Sequence, residues 1–180
     1  MTTGHGFEPL DADLIYEGYV MTISKGRFRA PDGTVFERDV MRHPGAVAVL
    51  PLDGDEVVLL RQYRSALNAV LWEIPAGLRD VEGEPPEQTA QRELIEEVGL
   101  RAGSLELLTS IHNAVGYSDE QIHIFLGTDL EAVERELTTS PEELEMEIVR
   151  MPISQAETMI TSGEITDGKT VIGILAALRR

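Results

Sequence analysis

Arg92-Glu93-Leu94-Ile95-Glu96-Glu97-Val98-Gly99-Leu100 is the stretch on which the reading of this chain turns. It closes a helix expected over Pro86 to Val98. Prolines suit the first turn of that helix, and Gly99 sits where a left-handed C-terminal cap belongs. Ala90, Leu94 and Val98 recur at i, i+4 and i+8, giving one apolar stripe. The acids break a local rule. Glu93 and Glu97 are i, i+4 with Glu96 beside them, and like charges at that spacing cost roughly 0.2–0.5 kcal/mol per pair. Arg92 offsets only part of this. A rule broken without local compensation points to a functional site. On a helix Glu93 and Glu97 stand ~6 Å apart along the axis and ~40° apart around it. Hard oxygen donors so placed can share one or more Mg²⁺ ions. The plainer alternative is a solvated acidic face.

Upstream of the helix the pattern is β. Strand-like runs cover Leu14 to Ile23, Arg27 to Ala30 and Thr34 to Met41, with a turn at Pro31-Asp32-Gly33. Pro presets φ, Asp offers a side-chain acceptor and Gly tolerates positive φ, so that turn predicts a hairpin. After His43-Pro44-Gly45 a second series follows at Ala46 to Leu52, Glu56 to Tyr63 and Ala69 to Ile74. Downstream, strands are expected at Ser104 to Ser110, Gln121 to Thr128 and Met146 to Met151. Helices at Ser154 to Ser162 and Lys169 to Leu178 close the chain. This order is an α/β or α+β pattern. Met1 to Pro9 reads as a disordered tail.

The chain has 180 residues, 42% of them hydrophobic, which fits one domain with at most a small appended subdomain. It has no cysteine, which removes disulfides, thiolate metal sites and cysteine nucleophiles. With 32 Asp and Glu against 15 Lys and Arg, the net charge is −17. Phosphate backbones are bound by clustered cations, so nucleic acid is not an expected partner, and neither is an anionic membrane. No apolar run approaches the ~20 residues that span a bilayer, and the first residues carry no signal-peptide pattern. The expected location is cytoplasmic. A phosphate-bearing ligand would be repelled unless cations bridge it to the protein.

The stretch from Arg92 to Leu100 has the form R-E-U-x-E-E-x-G-U, with U apolar. A chance match in a chain of this length is on the order of one in ten thousand or rarer. It resembles the Nudix box, whose full form begins with Gly77 and includes Glu84 here. Six residues separate Gly77 from Glu84, one more than the usual box has. The extra residue falls in the loop Leu78 to Gly83 and leaves the helix acids in place. The resemblance implies a Nudix fold, a mixed sheet sandwiched between helices.

Further segments resemble ADP-ribose pyrophosphatases of that superfamily. They are His43-Pro44-Gly45-Ala46-Val47, Arg61-Gln62-Tyr63-Arg64, Trp72-Glu73-Ile74-Pro75-Ala76-Gly77 and Gly116-Tyr117-Ser118-Asp119-Glu120. In that family an N-terminal antiparallel β-sheet mediates a domain-swapped homodimer and reaches the partner's substrate site. Residues 10–42 look like this element, and 43–180 like the catalytic domain.

Carried over by position, Glu93 and Glu97 match metal ligands, Glu96 a third, and the backbone carbonyl of Ala76 a fourth. Arg92 and Glu84 match positions that orient the helix acids. Arg64 matches an arginine that holds substrate phosphate, and Glu120 a substrate-site acid. Arg38 is a candidate substrate contact from the swapped sheet, with an ordinary surface arginine the simpler alternative. Glu73 matches a supporting acid near the metals. The general base of the family comes from a loop downstream of the box, here Ser140 to Glu145. Glu142 is the first candidate, with Glu143 and Glu145 as alternates.

The resemblance implies Mg²⁺-dependent hydrolysis of the diphosphate of ADP-ribose, with Mn²⁺ as an alternative metal and more than one ion per site. The cations would neutralise the phosphates and make a bound water more acidic. Two features keep other readings open. Many ADP-ribose enzymes carry a proline where this chain has Ala114 and Val115. Tyr117 falls close to a tyrosine of dinucleoside polyphosphate hydrolases. The alternatives are therefore a hydrolase of another nucleotide sugar or dinucleoside polyphosphate, and an inactive nucleotide-binding module. Intact Glu93, Glu96 and Glu97 argue against the last. The four histidines show no ligand spacing, so no zinc site is expected. Trp72 and the stripe Val171, Ile172, Leu175 and Leu178 read as core.

Overall fold

The strand β4 (Ala46–Asp53) is apolar at almost every position and buried on both faces. Alternation divides its side chains. Val47 and Val49 join one core cluster, while Ala48 and Leu50 join another. A strand of this kind needs cover on both sides, and helices provide it. The computed structural model describes residues 4–135 and 140–180, apart from the side chain of Glu143.

Ten strands and four helices are formed among the described residues. β1 (Glu8–Glu17), β2 (Thr22–Arg29) and β3 (Val35–Arg42) make a three-stranded antiparallel sheet. A seven-stranded mixed sheet follows, in the order β10 (Glu147–Pro152), β5 (Glu56–Arg64), β4, β9 (Gln121–Ala132) and β8 (Leu100–His112). β4 and β9 run parallel. β4 and β5 pair only at their hairpin, Leu52 with Val57 and Asp53 with Glu56. Beyond it they splay. β6 (Ala69–Glu73) takes the edge of β5, and β7 (Ala76–Leu78) takes that of β4. The link between β6 and β7 crosses the gap, where Pro75 accepts a hydrogen bond from the Val49 N–H at 2.9 Å.

On one face, α1 (Pro86–Val98) sets Ala90, Leu94 and Val98 against Val47, Val49, Val58, Leu60 and Phe125. On the other, α3 (Ile153–Ser162) and α4 (Gly168–Ala177) cover Leu50, Leu59, Ile74 and Ile124 with Ala156, Met159 and Ile174. This is the expected mixed sheet between helices. α1 has the expected bounds, with Pro86 in its first turn and Gly99 left-handed at φ 64°. Trp72 is half-buried against the second cluster, with Arg61 over its ring at 5.3 Å.

The chain divides into two compact units, Met1–Gly45 with His112–Gln121, and Ala46–Ile111 with Ile122–Arg180. The segment 112–121, expected within the second unit, groups with the N-terminal sheet through a Met41–Ser118 bridge and an Arg42–Asp119 ion pair at 2.9 Å. The first hairpin also differs from the sequence reading. β1 begins at Glu8, inside the supposed tail, and the single strand expected over Leu14 to Ile23 is broken at Gly18-Tyr19. There the Gly18 N–H turns back to the Met21 carbonyl. No apolar alternation announces this, because nearly all of β1 is exposed. The segment Ser140 to Glu145, read as loop, contains one helical turn, α2 (Pro141–Leu144). No helix among the described residues is long and apolar enough to cross a membrane.

Candidate active site

The gap between β4 and β5 is where the acids of α1 meet the sheet. Glu93 and Glu97 are both buried, at 8% and 7% exposure. A buried carboxylate needs a partner for its charge. Glu97 Oε2 accepts the backbone N–H of Ala76 at 2.9 Å, so the acid is tied to the start of β7. Glu93 packs on Gly77, where a Cβ would fall 2.0 Å from its carboxyl carbon. Burial pushes the Glu93 carboxyl up to about 7, with Arg92 opposing and Glu96 adding to the rise.

Arg92 is the hub of the acids around it. Its Nη1 lies 2.7 Å from Glu93 and 3.2 Å from Glu96, and its Nη2 3.5 Å from Glu84 and 3.8 Å from Asp80. Glu84 also accepts from the hydroxyl of fully buried Thr89 at 2.8 Å. Glu96 shares Arg92 with Glu93 and is half-buried, so it stays a third candidate ligand beside the buried pair. Among the described residues no three His, Asp or Glu side chains form a ready metal cage. The donors at hand are two buried carboxylates and the carbonyl of Ala76. All are hard oxygens, and a donor set of this chemistry fits Mg²⁺ or Mn²⁺.

A second cluster lies at the end of β5. Arg64 forks onto Glu73, Nε to Oε1 and Nη2 to Oε2, each at 2.6 Å. Glu73 is almost fully buried, and burial alone would raise its carboxyl. Arg64 and Lys169 overcome that and hold it below its ordinary value. Lys169 Nζ reaches Glu73 Oε2 at 2.5 Å and Asp167 at 3.0 Å. The hydrogen bonds that Arg64 donates to Glu73 raise its own pKa, and the charge of Glu97 adds to the rise. Lys169 was visible in the sequence only as the start of a helix. A cation in the first turn opposes the helix dipole, and that was the signal available.

β10 runs antiparallel to β5 with Glu147 opposite Arg61, so α2 leaves the sheet at the Arg64 end of β5. Glu142 is half-buried there and Glu145 exposed. Glu143 lies in the same turn, and its side chain is outside the described residues.

Arg38 and Glu120 belong to the other unit. Arg38 lies over Phe36, 4.8 Å from the ring centroid, and donates to the Glu37 carbonyl. With Phe28, Phe36 and Tyr117 it lines a cavity of about 320 Å³. Glu120 accepts from Asn113 at 3.0 Å and lies 4.0 Å from His43. His123 meets Ser110 at 2.7 Å, and burial, with Arg79 nearby, lowers its pKa.

A family model of the NUDIX domain matches residues 41–171. The chain is 38% identical to an ADP-ribose pyrophosphatase of Mycobacterium tuberculosis strain H37Rv, over 96% of this chain and 83% of that protein. It is 34% identical to an ADP-ribose pyrophosphatase of Bacillus subtilis strain 168, over 90% of this chain and 87% of that one. A crystal structure of an ADP compounds hydrolase superposes with a TM-score of 0.85 at 21% identity, covering 99% of this chain and 96% of the other. That likeness shows the fold.

Proposed function

The chain belongs to the NUDIX domain family, and from that premise we propose that it hydrolyses the diphosphate of ADP-ribose to AMP and ribose 5-phosphate. The observation that carries the reading is the pair of buried acids, Glu93 and Glu97, set against Gly77 and Ala76 where the sheet opens. Relatives named ADP-ribose pyrophosphatase along nearly the whole chain support the substrate.

Glu93 and Glu97, with Glu96 as a third and the Ala76 carbonyl as a fourth ligand, would hold Mg²⁺ or Mn²⁺, with more than one ion per site. A divalent cation there supplies charge neutralisation at the phosphates and a more acidic water. The rest is done by the chain. Arg92 and Glu84 hold the acids of α1 in place. Arg64 binds a phosphate oxygen through Nη1, the guanidinium nitrogen that Glu73 does not take. Glu142 accepts the proton of the attacking water, with Glu143 and Glu145 as alternates. With a net charge of −17, the chain needs these cationic contacts to draw in a polyanion.

The three-stranded sheet pairs with a second copy to form a homodimer, and Arg38 and Glu120 contact the nucleotide. The exposed Leu14, Ile15, Tyr16 and Tyr19 support this, since a cluster of large apolar side chains in water favours a partner. A second reading, hydrolysis of a dinucleoside polyphosphate or another nucleotide sugar, is favoured by Tyr117 in the aromatic cavity.

Purified protein should release AMP and ribose 5-phosphate from ADP-ribose with Mg²⁺ and stop with EDTA. Faster turnover of a dinucleoside polyphosphate or GDP-sugar in the same panel would replace the substrate. No turnover of any would leave a binding module.

A further inference from the structure

Four side chains of alternating sign run from the root of α4 to the end of β5: Asp167, Lys169, Glu73 and Arg64. Asp167 is fixed first. It caps α4, accepting the Thr170 N–H at 3.0 Å and the Thr170 hydroxyl at 2.6 Å. Lys169, 11% exposed, lies between Asp167 and Glu73. Glu73, 2% exposed, gives one oxygen to Arg64 Nε and shares the other between Arg64 Nη2 and Lys169. Arg64 is the only member of the four that is substantially exposed, at 39%.

We infer that Lys169 is a positioning residue for Arg64, fixing the Glu73 carboxylate that orients the guanidinium toward substrate phosphate. The inference rests on the proposed diphosphate hydrolysis. A lone carboxylate can rotate about its last torsion and carry a forked arginine with it. Glu73 is held from two sides, from β5 and from α4, so the plane of its carboxylate is set before substrate arrives. Arg64 then presents Nη1 in one direction, and bidentate geometry makes that direction specific. Preorganisation of this kind lowers the ordering cost of binding. Lys169 sits in the first turn of α4, where a cation opposes the helix dipole. Its place there is costly to the helix and useful to Glu73.

The test is steady-state kinetics with Mg²⁺ and ADP-ribose. Lys169→Gln should raise KM about tenfold with kcat within about twofold, the pattern of a lost binding contact. The Mg²⁺ requirement should not move, and Lys169→Arg should recover most of the loss. Arg64→Met combined with Lys169→Gln should be no worse than Arg64→Met alone, because the second residue acts through the first. Additive effects on KM, or a kcat loss at unchanged KM, would overturn the inference. Asp167→Asn offers a milder variant should Lys169→Gln not fold, with KM rising in the same direction; an unchanged KM counts against the inference.

The ¹⁵N-edited resonance of the Arg64 Nε–H, assigned by its loss in Arg64→Lys, is a readout independent of turnover. It should exchange slowly in the wild-type protein and rapidly in Lys169→Gln or Asp167→Asn. If it is equally slow in both variants, Lys169 does not hold Arg64. A wild-type protein inert toward ADP-ribose would remove the proposed function, and the resonance would still decide the positioning.

Discussion

Gly77 leaves the space that the Glu93 carboxylate fills: a Cβ at Gly77 would lie 2.2 Å from either Glu93 oxygen. The contact joins the first residue of the box to the first acid of the stretch from Arg92 to Leu100. Gly77→Ala should therefore displace Glu93 while the core clusters stay packed. We expect a higher Mg²⁺ requirement and a kcat lower by roughly 10²-fold, the scale of losing one strong electrostatic contributor. Circular dichroism should be unchanged. Wild-type kinetics in this variant would mean that Glu93 is not held where it must act.

Glu93→Gln and Glu97→Gln keep size and helix propensity and remove one charge each. Both should raise the Mg²⁺ requirement and lower kcat by roughly 10²-fold or more. Near-full activity of both at saturating Mg²⁺ would mean that these two buried acids do not hold the metal.

Stability of the metal-free protein should depend on pH through Glu93. Its carboxyl is pushed up to about 7 in the fold against an ordinary 4.5, so the folded state binds the proton more tightly than the unfolded one. The contribution is fully present below about 4.5 and is lost as pH rises to about 7, worth roughly 3 kcal/mol. Melting in EDTA should show this decline over pH 4.5 to 7, and Glu93→Gln should flatten it. Added Mg²⁺ should stabilise most at the upper end, where the carboxylate is ionised. An identical pH profile in Glu93→Gln would contradict the burial argument.

The base and the ligands should separate kinetically. Glu142→Gln should lower kcat far more than it weakens Mg²⁺ or substrate affinity. The same changes at Glu143 and Glu145 serve as comparisons. A large kcat defect in either of those, with Glu142→Gln active, moves the assignment along the turn. Three active variants would end the idea of a base from this segment.

Light scattering should give a dimer for the full chain, and deletion of residues 10–42 should abolish both dimer and nucleotide binding. Short exposed edge strands invite pairing with another chain. An active full-length monomer would remove the shared-sheet proposal and Arg38 with it.

Local chemistry was legible from the residues alone. The apolar stripe of α1, its Gly99 cap and the crowded acids are all set by neighbours within one or two turns. Long-range partners were not. Lys169 and Glu73 are 96 positions apart, and nothing in either's local sequence announces the other. Glu73 could be singled out only because its segment resembles a family. β1 was misread because its side chains are mostly solvated, so hydrophobic alternation carries no signal there. The splay of β4 from β5 left a trace, Pro75, which cannot donate to a ladder and so marks the crossing.

The division of the chain into two units has an evolutionary consequence. The acids, Arg64 and their supports all sit on one unit of the chain, while the aromatic cavity of Phe28, Phe36 and Tyr117 sits on the other. Substitutions in the cavity can accumulate without touching a hydrogen bond of the opened sheet. A relative can therefore differ at Phe28, Phe36 or Tyr117 and still keep the acids, Arg64 and their supports as they are here.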